Sequence, residues 1–431
     1  MGGKQVKDMM VVGFALFAMF FGAGNLIFPP YLGVLTGPQW WISFSGFVFA
    51  DVGLALLAVI ALIKYNGNAE RMLSRCGKKL GIIMGTAIVI CIGPLVAIPR
   101  TAASTYEIGI LPTIGPGLNP IVFSIIFFAI TLVLAIRPSK VVDIVGQYLT
   151  PALLIALAVL IIKGVLTPLG DIRPDSLIDA TFAEGITQGY QTMDALGAII
   201  FSSVIILSVI DKGYTEEKQK FKMTLGSGIV AAVGLFLVYG GLAYLGATVS
   251  KQYGADIAQT DLVVKITAAL LGNGGKMLLG LVVALACLTT AIGLASAAGQ
   301  YFDDLTKGKL KYEYVVIFIC VFSAVVSNFG VSTIIKLASP ILSLVYPAAV
   351  TMIILSLFTE KIKNDNVFKF ATYMALLISV LTLAEVPIVD SLPFAPIGFN
   401  WVVPVIIAGI IGHFVPDKNK SEKTVVSSVR S

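Results

Sequence analysis

The chain has 431 residues, of which 57% are hydrophobic and only 13% charged, with a net charge of +6. Soluble domains carry roughly 25% charged residues, and 30 Lys and Arg with 24 Asp and Glu cannot coat a water-soluble globule of this length. A soluble fold is therefore excluded. The basic surplus does not indicate nucleic acid, because the Lys and Arg sit in short clusters between apolar runs, where topology signals belong.

In chain order the apolar runs, each about 20 residues and so long enough to cross a bilayer core, predict twelve helices. They lie near 9–35, 41–63, 80–100, 119–136, 142–162, 188–210, 223–247, 277–300, 314–328, 333–358, 367–386 and 399–415. The expected fold is an all-α polytopic membrane protein with one domain over 1–416 and a polar tail, 417–431. Lys4 and Lys7 precede a first run too long for a signal peptide, so that helix stays in the membrane. Taking alternate loops from the N-terminus, 23 of the 30 basic residues collect on one side. Arg100, Lys163, Arg173, Lys251, Lys265 and Lys276 fall on the other, with Lys336 at a helix end. The rich side is read as cytoplasmic, with both termini inside. The stretches near 101–118, 163–187 and 248–276 are rich in Gly, Pro and polar residues and read as interfacial helices or lids.

The first run holds Phe21-Gly22-Ala23-Gly24-Asn25-Leu26-Ile27-Phe28-Pro29-Pro30. Two glycines and an asparagine, with two prolines a turn later, mark an unwinding point. Unwound backbone at membrane depth is tolerated where it lines a cavity, and there it offers carbonyls to a cation and amides to a carboxylate. A close-packing small-residue face is the other reading. In the sixth run, Gln188-Gly189-Tyr190-Gln191-Thr192-Met193-Asp194-Ala195-Leu196-Gly197 carries an acid among glycines and polar groups. A carboxylate in hydrocarbon needs a cavity, a cation or a helix end. Interruptions five spans apart are the signature of inverted five-helix repeats.

The third run is punctuated by Gly93-Pro94, which predicts a kink, and by Pro99-Arg100, with Glu107 beyond; Arg100 and Glu107 read as an outer gate pair or a rim salt bridge. The eighth run is dense in small residues, and its adjacent Thr289 and Thr290 are either oxygen donors for an alkali cation or hydroxyls bonded back to their own helix. Asp51 is expected to bond between helices and Asp143 to cap the fifth run. Cys76 lies in a basic loop and Cys91, Cys287 and Cys320 lie in apolar runs, without disulfide or zinc spacing. The single histidine, His413, excludes a histidine-cluster enzyme and reads as interfacial or packing.

The strings Phe-Phe-Gly-Ala-Gly-Asn-Leu-Ile-Phe-Pro-Pro from Phe20, Gly-Pro-Leu-Val-Ala-Ile-Pro-Arg-Thr from Gly93 and Gly-Tyr-Gln-Thr-Met-Asp-Ala-Leu from Gly189 resemble the bacterial branched-chain amino-acid carriers. These are cation symporters for leucine, isoleucine and valine, and the resemblance covers essentially the whole chain. It implies a LeuT-like fold: repeat one at about 9–163, repeat two at about 188–358, broken helices 1 and 6, and two peripheral helices at about 367–415. It implies a sodium site formed by the carbonyls of Ala18 and Phe21 with Ala286, Thr289 and Thr290. The Ala23 and Gly24 amides would meet the substrate carboxylate, and Asn25, Gly93, Gln191 and Asp194 complete the candidate substrate residues. The expected activity is sodium-coupled import of branched-chain amino acids by a multi-pass carrier of the bacterial cytoplasmic membrane. It needs no cofactor beyond the coupling ion, no nucleic acid and no obligate protein partner. A proton-coupled carrier of another neutral amino acid, with Asp194 titrating, is the nearest alternative. An ion channel is more remote, since no loop resembles a selectivity filter.

Overall fold

Backbone without water to bond to must satisfy its own donors and acceptors, and long apolar segments do so as helices. The computed structural model describes residues 3–136 and 141–416, with side chains undescribed at 141–150, 152, 203, 204 and 207. Among the described residues the chain is helical, with no strand. Arg137, Lys140, the Asp143 cap and the tail beyond Pro416 lie outside what is described.

Helix α1 (Gly3–Phe20) stops where Gly22 adopts an extended conformation (φ −108°, ψ −172°), and α2 (Ala23–Thr36) starts immediately after it. Gly37, at φ 46°, turns the chain into α3 (Trp40–Val48), a π turn at Phe49–Gly53 and α4 (Leu54–Ile63). The short α5 (Ala69–Leu73) is capped by the Asn68 side chain, which accepts from the Arg71 amide at 2.7 Å. Next come α6 (Lys78–Ile90), a π turn at Cys91–Leu95, α7 (Ala97–Ser104), a further π turn at Thr105–Ile110 and α8 (Leu111–Ile114). The kink expected at Gly93-Pro94 is there: Gly93 leaves helical geometry (ψ −122°).

After α9 (Pro120–Ile136) and α10 (Val141–Leu166), α11 (Thr181–Thr192) ends at Met193, which is left-handed at φ 67°, and α12 (Asp194–Asp211) follows at once. Then come α13 (Glu217–Thr248), α14 (Gln259–Thr306, bent at Gly272), α15 (Tyr312–Ser327), α16 (Val331–Leu357), α17 (Asp365–Leu383) and α18 (Val402–Phe414). Among the described residues, six segments are long and apolar enough to cross a membrane: Ala23–Ile63, Lys78–Ile114, Glu217–Thr248, Gln259–Thr306, Val331–Leu357 and Asp365–Leu383. Four shorter apolar helices accompany them.

Three boundaries differ most from the sequence expectation. The third span does not end near residue 100 but runs to Ile114, because Pro112 falls in the first turn of α8, where a missing amide costs nothing. The sixth-run helix begins at Thr181 because its polar stretch is amphipathic and buries Thr181, Gly185, Ile186 and Gln188. The segment before the eighth run forms the start of α14 as far as Gly272.

The tightest crossing joins α2 to α13. A Cβ on Gly246 would overlap the Pro30 carbonyl oxygen, and one on Gly33 would overlap the Ala243 carbonyl oxygen. Only hydrogen fits on either side of this contact, the small-residue device that lets helices approach where the solvent is lipid. Outward-facing Val133, Leu166 and Phe414 are 70%, 74% and 79% exposed, an apolar surface suited to acyl chains rather than water. On the basic side, Arg75 ties α5 to the α16–α17 connection. Its Nε donates to Asp365 at 2.7 Å, Nη1 to Thr359 at 2.7 Å and Nη2 to the Ile362 carbonyl at 2.9 Å, and its guanidinium lies 3.8 Å from the Phe368 ring centroid.

Candidate functional site

The α1–α2 and α11–α12 junctions meet through Asn25. Its Oδ1 accepts the Gly22 amide at 3.1 Å, satisfying a backbone donor that the interruption leaves free. Its Nδ2 donates to Asp194 Oδ2 at 2.8 Å and to the Tyr239 hydroxyl at 2.6 Å. Asn25, Asp194 and Tyr239 are all buried. Tyr239 comes from α13 and is held by the Phe21 ring, stacked at 6.2 Å, and by Phe47, edge-on at 5.3 Å. The Thr192 hydroxyl lies 2.7 Å from Asp51 Oδ1, so Asp51 bonds between helices as its position in an apolar run suggested. The other carboxyl oxygen, Asp51 Oδ2, is buried without a hydrogen-bond partner. One polar centre thus joins α2, the Phe49–Gly53 turn, the α11–α12 junction and α13.

Arg100 enters this centre from α7. Only 4% exposed, it donates from Nη1 to the Gln191 carbonyl at 2.6 Å and from Nη2 to the Thr192 carbonyl at 3.4 Å. These are the last carbonyls of α11, the negative end of its dipole. The guanidinium also lies 5.5 Å from the Phe28 ring centroid. A Cβ on Gly24 would come within 2.8 Å of Arg100 Nη2, so glycine is what admits the guanidinium beside the start of α2.

The expected pairing of Arg100 with Glu107 is not formed. Glu107 accepts from Thr260 Oγ1 at 2.6 Å and from the Val331 amide, at the start of α16, at 2.9 Å. Seven residues in a regular α-helix would put the two side chains on one face. The π turn at Thr105–Ile110 widens the helix between them and carries Glu107 away from that face.

Below the two junctions lies a cleft with about 460 Å³ of unfilled space, part of it open to solvent. Ala23, Asn25, Arg100 and Asp194 form its polar end; Ile92, Phe201 and Leu294 form apolar wall, and Thr290 faces in from α14. Its few polar groups among apolar walls match the usual make-up of small-molecule sites. Gly93 is buried beside the cleft, next to the lining residue Ile92. Gln191 contributes its carbonyl to Arg100, while its own Oε1 is buried with no partner.

Of the sodium candidates, Thr289 Oγ1 donates to the Ala286 carbonyl at 2.8 Å and Thr290 Oγ1 to the same carbonyl at 3.0 Å. The hydroxyl hydrogens are thus spent within α14, and their lone pairs remain as acceptors of the kind an alkali cation uses. Ala18 precedes the end of α1, and the Phe21 amide donates to the Phe17 carbonyl at 2.8 Å, extending that helix by one bond.

Tyr239 and Tyr346 were missed by sequence reasoning. Tyr346 is buried, stacks on Tyr190 at 4.1 Å, and both hydroxyls lack a partner. A tyrosine inside an apolar run carries no mark of its partner, and nothing local distinguishes these two from Tyr244 or Tyr373.

Helices interrupted at a shared polar centre that faces a cleft define a membrane transporter with a LeuT-like fold. Solved structures agree. Mhp1, a nucleobase-cation-symport-1 family transporter in a closed conformation with bromovinylhydantoin bound, superimposes with a TM-score of 0.64 at 12% identity, over 96% of this chain and 93% of that one. MhsT in complex with L-phenylalanine gives 0.59 at 17% identity, over 94% and 98%. Residues 5–419 match the family described as branched-chain amino acid transport protein, and the chain belongs to that family. It is 37% identical over 428 residues to the branched-chain amino acid permease BraB of Bacillus subtilis (strain 168), covering 95% of both chains. It is also 37% identical over 416 residues to the branched-chain amino acid transport system 2 carrier protein of Pseudomonas aeruginosa, covering 94% of this chain and 95% of that one. These relatives are permeases and carriers, not enzymes.

Proposed function

We propose that this protein imports leucine, isoleucine and valine across the bacterial cytoplasmic membrane, coupled to sodium by alternating access. The observation that carries the proposal is the convergence of Asn25, Asp194, Arg100 and Thr290 on one cleft at the two helix interruptions. In this reading the chain has twelve spans with both termini cytoplasmic, helices 1–5 and 6–10 as inverted repeats, and α15 to α18 supplying span 9 onward. Helices 1 and 6 are the broken ones, as α1–α2 and α11–α12.

The substrate carboxylate meets the free amides at Ala23 and Gly24 on the positive end of α2. The ammonium lies toward Asp194 and the α11 carbonyls, and the aliphatic side chain packs on Ile92, Phe201 and Leu294. Sodium sits between the Ala18 and Phe21 carbonyls and Ala286, Thr289 and Thr290. Both ligands favour the same arrangement of spans 1, 2, 6 and 7 against the rest, and that differential affinity is the coupling. The cleft lining runs along α1 and α12 toward Met19 and Phe201, the side of the basic loops, which supports an inward-facing state.

Replacing Thr289 and Thr290 together by Ala is expected to raise the sodium concentration for half-maximal leucine uptake by about tenfold or more, an effect of about 1.4 kcal/mol. Uptake with unchanged sodium dependence would remove these residues from the proposal. Uptake driven by a pH gradient without sodium would favour proton coupling through Asp194.

A further inference from the structure

Arg100 is a buried cation without an anion. A guanidinium has five N–H donors, and the hydrogen bonds this one makes among the described residues go to the Gln191 and Thr192 carbonyls, the second at a long 3.4 Å. Among the described residues it forms no ion pair. Asp194, the acid lining the same cleft, accepts from Asn25 at 2.8 Å instead. The carbonyl end of α11 offsets only part of a full positive charge, and a buried charge left without compensation is costly.

The position of the guanidinium says what the missing anion is. A Cβ on Gly24 would lie 2.8 Å from Arg100 Nη2 and 3.1 Å from its Cζ. In a helix the bond from Cα to Cβ tilts toward the N-terminus, so the guanidinium stands beside the first turn of α2 on the side its free amides face. A fixed cation and the positive end of a helix thus meet at one wall of the cleft, and each disfavours the other unless an anion lies between them. Phe28, one turn further along α2, flanks the guanidinium at 5.5 Å, and the α11 carbonyls hold it from the other side.

We propose that Arg100 binds the substrate carboxylate directly, its guanidinium and the Ala23 and Gly24 amides holding that group from two sides. The planar fork of arginine matches a carboxylate in shape as well as in charge. The inference rests on the amino-acid import reading and deepens it. Arg100 is then a substrate-binding residue rather than a gate residue, and it selects ligands with a free carboxylate over amides of the same side chain.

Solid-state NMR of the full-length wild-type protein in lipid reads the contact. Leucine carrying ¹³C at its carboxyl is added to protein whose arginines carry ¹⁵N at the guanidinium; among the described residues Arg100 is the arginine that lines the cleft. The expected result is dipolar dephasing of the bound carboxyl signal by guanidinium nitrogen. Arg100→Gln is expected to weaken leucine binding by about 10- to 100-fold, the loss of a charge-assisted hydrogen bond, and to leave leucinamide binding unchanged. Arg100→Lys, which keeps the charge and loses the fork, is expected to fall between. If neither variant folds, the dephasing in the wild type decides the question. Bound leucine without dephasing, or equal losses of leucine and leucinamide binding in Arg100→Gln, overturns the proposal and leaves the import reading standing. A wild-type protein that binds no leucine defeats the import reading, and this proposal with it.

Discussion

Asn25→Ala is expected to weaken leucine binding by ~100-fold, about 3 kcal/mol, because it removes a charge-assisted bond to Asp194 and a bond to Tyr239. The same substitution deletes the acceptor of the Gly22 amide, so the interruption that exposes the Ala23 and Gly24 amides loses its cap. The effect falls on the site rather than on the fold: the helices on either side keep their packing, and Asn25 bonds only within the polar centre. Scintillation proximity binding of labelled leucine to purified protein measures it. Thermal stability within a few degrees of the wild type is expected alongside the lost affinity. An Asn25→Ala protein that binds leucine with wild-type affinity would remove this residue from the substrate site.

Gly246→Val is expected to destabilise the protein most among single substitutions at helix crossings. Its Cβ alone would overlap the Pro30 carbonyl oxygen and lie 2.7 Å from Pro30 Cα. Backbone cannot rotate aside as a side chain does, so α2 and α13 must separate along the whole crossing. Overpacking of ordinary cores costs about 1–3 kcal/mol, and a backbone clash exceeds that, against a total stability of about 5–15 kcal/mol. The expected outcome is aggregation on detergent extraction, or a melting temperature lowered by about 3 °C or more, since about 3 kcal/mol is spread over the unfolding entropy of a 431-residue chain. Gly246→Ala meets the same carbonyl with less bulk and is expected to fall between valine and wild type. Size-exclusion chromatography and thermal unfolding of the three proteins check the order; a wild-type profile for Gly246→Val would contradict the crossing described here. Because α2 carries Asn25 and α13 carries Tyr239, this crossing also sets the 2.6 Å bond between them.

The membrane class and the positions of most helices were legible in the sequence because hydropathy is a one-dimensional signal with a fixed length scale. The glycines and asparagine of residues 22–25 fall where α1 stops and α2 starts, and Asp194 opens α12 directly after left-handed Met193. These signals survive because helix breakers act on their own backbone. Pairings were less legible. Arg100 was read as an outer gate or rim partner of Glu107, but its true acceptors are backbone carbonyls on a helix 91 residues away in sequence, which carry no sequence mark. The π turn that separates Arg100 from Glu107 likewise has no reliable local signature. Asp51 was expected to bond between helices and does, yet its partner, Thr192, 141 residues away in sequence, needed the three-dimensional arrangement. Thr289 and Thr290 had two readings, cation ligand and back-bonding to the helix, and their hydrogens are engaged in the second while their lone pairs leave the first open.

The most direct test of sodium-coupled branched-chain amino-acid import is labelled leucine uptake into proteoliposomes holding the purified protein, with pH equal inside and out. An inward sodium gradient is expected to drive leucine above its external concentration, and excess isoleucine or valine to compete. Equal sodium on both sides, or potassium in its place, is expected to give equilibration or no uptake. Leucine accumulation that is the same without a sodium gradient and rises only with an imposed pH gradient would contradict the account.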